Sequence, residues 1–180
     1  SPSSTYCTPT LVGRSADPTR RTPYGGGVIE ATDIIMIHQL LGRYGHAIDG
    51  RQWEAFGRLF TPDATIDYRS GTGAAVVREG RDAIVEWFRE VDVNHPPAHH
   101  VTNIVVDERA DPAGRVPVHS KFIAPFTRPE HVPTRLYGGD YHDVVVRTAD
   151  GWCFAHKQCL PRWQLTPQVD HAVVEHRRTY

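Results

Sequence analysis

Residues 135–160, RLYGGDYHDVVVRTADGWCFAHKQCL, decide the fold. Two runs rich in Val, Phe and Tyr meet at Asp150-Gly151, and an Asp-Gly dipeptide between such runs is a hairpin signal. Two earlier runs, 99–107 and 115–127, have the same texture and are separated by the turn sequence Asp111-Pro112-Ala113-Gly114. Upstream of Pro96-Pro97 the pattern is helical. Ile34, Ile37, Leu41, Tyr44 and Ile48 recur at i, i+3 or i+4 and predict a helix over 32–48 with Thr32 or Asp33 as its cap. A short helix over 52–60 buries Trp53, Phe56 and Phe60. Residues 64–69 alternate, with Ala64, Ile66 and Tyr68 on one face. A Gly-rich connection then leads to a helix over 81–91 that buries Ile84, Val85, Trp87 and Phe88. Three helices followed by a meander of long strands predict an α+β fold with helices on one face of a curved antiparallel sheet. A sheet curved in that way encloses a pocket, the default binding site.

With 180 residues the chain has room for one domain with a sizeable core. An apolar fraction of 39% and a net charge of −1 argue against wholesale disorder. They also exclude a nucleic-acid binder that relies on bulk basicity. No apolar run approaches the roughly 20 residues of a membrane span. Residues 1–27, rich in Ser, Thr, Pro and Gly, read as an arm, 28–163 as the domain, and 164–180 as an extension forming a lid or interface helix. Cys7, Cys153 and Cys159 are too few for a disulfide framework. The first thirty residues lack a signal-peptide pattern, so a reduced, cytoplasmic protein is expected.

The 11 histidines, against two lysines (Lys121 and Lys157), raise the question of metal or acid-base chemistry. Adjacent His99 and His100 point to opposite faces of a strand, no His-x-His pair occurs and no cysteine pair has zinc spacing, so no metal is expected. Phosphate-loop, nucleophile-elbow and dinucleotide signatures are missing as well. What remains is a scatter of polar residues on pocket-lining elements. Asp49 stands at the junction of the first two helices, where Asp49-x-x-Gln52 also reads as a capping box. Tyr44 and Tyr68 stand on apolar faces, and one of His99 and His100 faces inward. Lys121 shares a face with His119 and Ile123, from which it either reaches the pocket or stays at a solvated edge. Trp87, Phe122 and Phe126 read as hydrophobic walls or as core.

Three stretches, Ala47-Ile48-Asp49-Gly50-Arg51-Gln52-Trp53, Leu59-Phe60-Thr61-Pro62-Asp63-Ala64 and Ile66-Asp67-Tyr68-Arg69-Ser70, resemble the SnoaL-like branch of the NTF2-like superfamily. His99-His100-Val101-Thr102-Asn103 and Gly139-Asp140-Tyr141-His142-Asp143 extend the resemblance, which is closest to scytalone dehydratase and the bile-acid 7α-dehydratases. It implies a cone-shaped fold, no cofactor, a homodimer or homotrimer, and a small hydrophobic or aromatic substrate. It also implies that Asp49 pairs with a histidine at the place of His100, with Tyr68 and Tyr44 lining the cavity. The second acid-base residue of those enzymes has no counterpart near Ile123 to Pro125, while Asp140 and His142 stand where they carry a serine and an asparagine.

The expected chemistry is elimination of water. His100 takes a proton α to a carbonyl and Asp49 orients it. Tyr68 and Tyr44 donate to the enolate oxygen, and either the same base or His142 returns a proton to the leaving hydroxyl. Strand parity alone does not choose between His99 and His100; the family spacing favours His100. On another substrate the same parts serve a polyketide cyclase or isomerase. A pocket without catalysis leaves a binding or assembly module.

Overall fold

The structure, a computed structural model, describes residues 27–69, 75–91, 98–128 and 131–165, with the side chains of 126–128 and 131–134 excepted. The arm expected over 1–27 and the extension over 164–180 lie outside the described residues, apart from Gly27 and 164–165. The elements are α1 (Ala31–Asp49), α2 (Trp53–Gly57), β1 (Phe60–Arg69), β2 (Ala75–Glu79), α3 (Arg81–Val91), β3 (His100–Val106), β4 (Arg115–Arg128), β5 (His131–Thr148) and β6 (Gly151–Leu165). The strands form one curved sheet in the order β2-β1-β6-β5-β4-β3.

The helical stripe of α1 is the centre of the core. Ile37, Leu41, Tyr44 and Ile48 are buried by the sheet, each apolar side chain contributing about 1.5–3 kcal/mol. Gly45 permits the close approach, since a Cβ there would stand 3.1 Å from the carbonyl oxygen of His99. Phe56 of α2 and Ile84 and Phe88 of α3 complete the helical side. Against them, Ala64 and Ile66 of β1, Val116, Val118 and Phe122 of β4, and Tyr141 and Val145 of β5 form the inner face of the sheet.

Three local readings change. Neither Thr32 nor Asp33 caps α1, which begins at Ala31 after Glu30 with no side-chain cap. Asp33 is engaged elsewhere, accepting the indole N–H of Trp152 at 3.2 Å and pairing with Arg147 beside the β5–β6 hairpin. Asp49 does not cap α2, whose N-cap Gln52 also makes no side-chain cap bond. The connection before α3 contains an edge strand, β2, antiparallel to β1 with Asp67 opposite Val77.

Strands β3 to β6 form the expected meander, with Gly151 at φ +116° making the tight turn after Asp150. β1 joins β6 in parallel, Tyr68 opposite Cys159. Between Phe154 and His156 the register of β6 slips by one residue, because Val145 pairs with Phe154 while Val144 pairs with His156. The extra residue, Ala155, is a bulge. It brings Phe154, Lys157 and Cys159 to the same inner face, which an unbroken strand of period two forbids.

Candidate active site

Asp49, the last residue of α1, holds His99 and not His100. Its Oδ2 accepts the backbone N–H of His99 at 2.8 Å, and its Oδ1 stands 2.5 Å from the His99 ring Nδ1. A carboxylate has only acceptors, so Nδ1 carries a hydrogen, and in the neutral ring the lone pair is on Nε2. His99 precedes the first ladder residue of β3, so its N–H is free to meet the helix end. His100 opens the ladder opposite Ile123 and is exposed with it on the outer face. The pairing expected for His100 therefore belongs to His99, one residue earlier, by the alternation of strand faces.

The ring of Tyr44 meets that of His99 edge-on, with centroids 6.4 Å apart. Its hydroxyl bonds the hydroxyl of Tyr68 and also interacts with that of Tyr141. The three tyrosines reach this point from α1, β1 and β5. Tyr68 is half-buried against Trp87 and Phe88, whereas Tyr44 and Tyr141 are buried. Phe122 stacks on Tyr141 with ring centroids 4.5 Å apart. The structure thus gathers the expected Asp49, Tyr44, Tyr68, Trp87 and Phe122 around one part of the core. The side chain of Phe126 lies outside the described residues.

Two expected binding residues face the other way. Lys121 is exposed on the outer side of β4, its ammonium 2.5 Å from Asp140. His142 stacks edge-on with His119 on the same outer side, ring centroids 4.8 Å apart. The alternation of β5 turns Tyr141 and Asp143 inward and so turns His142 outward.

Burial holds all three tyrosine hydroxyls well above the usual phenol range. They are donors throughout the neutral range and not bases. Burial likewise pushes the Cys159 thiol up to about 12, which removes it as a nucleophile. The sign for stability follows. A phenol whose folded value is raised contributes stability fully below its unfolded value, near pH 10, and that stability is lost as pH rises through the folded value. Alkaline titration followed by phenolate absorbance is expected to leave Tyr44, Tyr68 and Tyr141 silent until the protein unfolds. Three further phenolates before unfolding would contradict this.

Two residues of this region, Tyr141 and Lys157, escaped the sequence reading, and the choice of His99 was left open by strand parity. His99 was the rival to His100, and only the unpaired N–H ahead of the ladder distinguishes it. Tyr141 lies in a run, Asp140 to Val145, where both faces carry polar residues, so alternation gives no direction. Lys157 is turned inward by the bulge at Ala155, which carries no sequence signal.

Residues 30–158 match the family model of the SnoaL-like domain. The chain belongs to the SnoaL-like family. An uncharacterized protein, Rv2910c of Mycobacterium tuberculosis, is 38% identical over 128 residues, which are 69% of this chain and 82% of that protein. Among solved structures, a protein provisionally designated a scytalone dehydratase, from Novosphingobium aromaticivorans, superposes with a TM-score of 0.65 at 21% identity. The match covers 82% of this chain and 96% of that one. The hexachlorocyclohexane dehydrochlorinase LinA-type3 of Novosphingobium barchaimii superposes with a TM-score of 0.68 at 16% identity, covering 80% and 96%. At these identities the structural likeness establishes the common NTF2-like fold of this SnoaL-like chain. No described helix is long and apolar enough to cross a membrane.

Proposed function

We propose that this SnoaL-like protein is a cofactor-independent lyase that eliminates water from a hydrophobic, carbonyl-bearing ring substrate. The observation that carries the reading is the double hold of the Asp49 carboxylate on His99, at the ring and at the backbone. It fixes the tautomer with Nε2 as the base and stabilises the imidazolium that forms when the ring takes a proton. His99 removes the proton α to the carbonyl. The C–H electron pair forms the new double bond, and the β-hydroxyl leaves with the proton that His99 has gained. Tyr44 and Tyr68 donate to the enolate oxygen, each such donor contributing on the order of 3–4 kcal/mol where it is well placed. His142, on the outer face, has no part in this scheme.

The names of the two structural neighbours support the reaction class: a dehydratase and a dehydrochlorinase both expel a leaving group from carbon beside a C–H bond. The direct test is incubation with a panel of cyclic β-hydroxy ketones, followed by mass spectrometry for loss of one water. Asp49→Asn is expected to lower kcat by about 10⁴-fold with KM little changed, because the amide favours the wrong tautomer of His99. A product of unchanged mass would assign the site to isomerisation or cyclisation. An Asp49→Asn protein with full kcat would refute the dyad.

A further inference from the structure

The registers of four neighbouring strands place two rows side by side on the inner face of the sheet. Tyr68 stands opposite Cys159, Cys159 opposite Tyr141, and Tyr141 opposite Ser120. Two residues along each strand, Lys157 stands opposite Asp143. Ser120 is buried, and among the described residues its hydroxyl has no hydrogen-bond partner. Lys157 and Asp143 are equally buried, with Nζ at 3.0 Å and 3.3 Å from the two carboxylate oxygens. The ammonium lies 3.6 Å from the ring centroid of Tyr141, 4.2 Å from that of Tyr44 and 4.9 Å from that of Phe154.

A buried ion pair is a poor device for stability, since apolar residues of similar volume commonly serve as well or better. Its location is more informative. The Lys157 ammonium contacts the face of Tyr44, whose hydroxyl bonds Tyr68, and that of Tyr141, whose hydroxyl interacts with that of Tyr44. A desolvated cation over an aromatic face favours one ring orientation. We propose that Tyr141 and Ser120 extend the Tyr44–Tyr68 donors into a subsite for a phenolate-type or enolate oxygen of the substrate, with Lys157 and Asp143 as positioning residues that clamp the tyrosine rings. This rests on the lyase reading in that the bound oxygen is the one that gains charge during proton abstraction. A buried hydroxyl without a partner at Ser120 fits such a floor, because a substrate's anionic oxygen gives it the partner it lacks.

The test uses para-nitrophenolate, whose absorbance reports binding without turnover. Binding to the wild-type protein is expected. Tyr141→Phe and Ser120→Ala are each expected to weaken it, Tyr141→Phe by about tenfold, the scale of one hydrogen bond to a charged oxygen. The double variant Lys157→Met with Asp143→Asn removes both charges without orphaning either. It is expected to stay folded by circular dichroism and to weaken the probe by about tenfold as well. Adding Tyr141→Phe to that double variant is expected to bring little further loss, because the clamp acts through this tyrosine. A wild type that does not bind the probe overturns the proposal. So does a folded double variant within about twofold of wild type, or full additivity with Tyr141→Phe. Absence of water loss across the ketone panel would instead count against the lyase reading and leave the binding result standing.

Discussion

His99→Ala is expected to lower turnover by about 10²- to 10⁴-fold, the usual contribution of a general base, while His100→Ala stays within about twofold. The contrast separates two adjacent residues that the sequence presents as equivalent. His99 donates both bonds to Asp49, and its ring meets Tyr44. His100 is exposed on the outer face opposite Ile123. The alanine at 99 keeps the backbone N–H that Asp49 Oδ2 accepts, so the end of α1 retains one of its two ties to β3. Loss of rate with a small change in melting temperature therefore reports chemistry and not unfolding. Steady-state rates for both variants on whichever panel ketone is turned over provide the measurement. Loss at His100 with activity kept at His99 would reverse the assignment.

Lys157→Met alone is expected to cost about 3–5 kcal/mol of folding stability, because it strands the Asp143 carboxylate in the core. Lys157 and Asp143 are 1% and 2% exposed, so water reaches neither. Burial holds the Asp143 carboxyl above its usual range, against the pull of Lys157, and holds the Lys157 ammonium below its own, against the pull of Asp143. Both directions oppose charge, so the pair survives by mutual compensation and each member depends on the other. Denaturant unfolding of the single variant and of Lys157→Met with Asp143→Asn separates the two effects. The second change is expected to recover most of the loss, since it removes the orphaned charge. Equal destabilisation in both variants would mean that packing of the lysine stem, not its charge, is what the core requires.

The strong periodicities were legible in the sequence. The stripe Ile37, Leu41, Tyr44 and Ile48, the inward face of Ala64, Ile66 and Tyr68, and the Asp150-Gly151 hairpin all stand where the pattern puts them. Asp49 was legible as a residue of interest, although its capping role was not its actual one. The illegible parts have a common cause. Direction along a strand is read by counting in twos, and the count fails at a bulge such as Ala155 or where both faces carry polar side chains, as at 140–143. The choice between His99 and His100 adds a third case, because it depends on which residue the ladder leaves unpaired. The edge strand β2 follows a Gly-rich segment and is short, so its pattern was too brief to separate from a connection.

The parallel pairing of β1 with β6 has a consequence for synthesis of the chain. β1 touches only β2 and β6 within the sheet, so before β6 is made the strands form two separate pieces, β2-β1 and β5-β4-β3. Asp49, His99 and Tyr141 exist in the nascent chain by then, yet the strand that joins β1, with Tyr68, to β5, with Tyr141, is missing. Closure between distant segments is slow relative to local pairing. The candidate grouping therefore completes only once β6 has been made, and a product that stops short of β6 is expected to lack it however well its helices form.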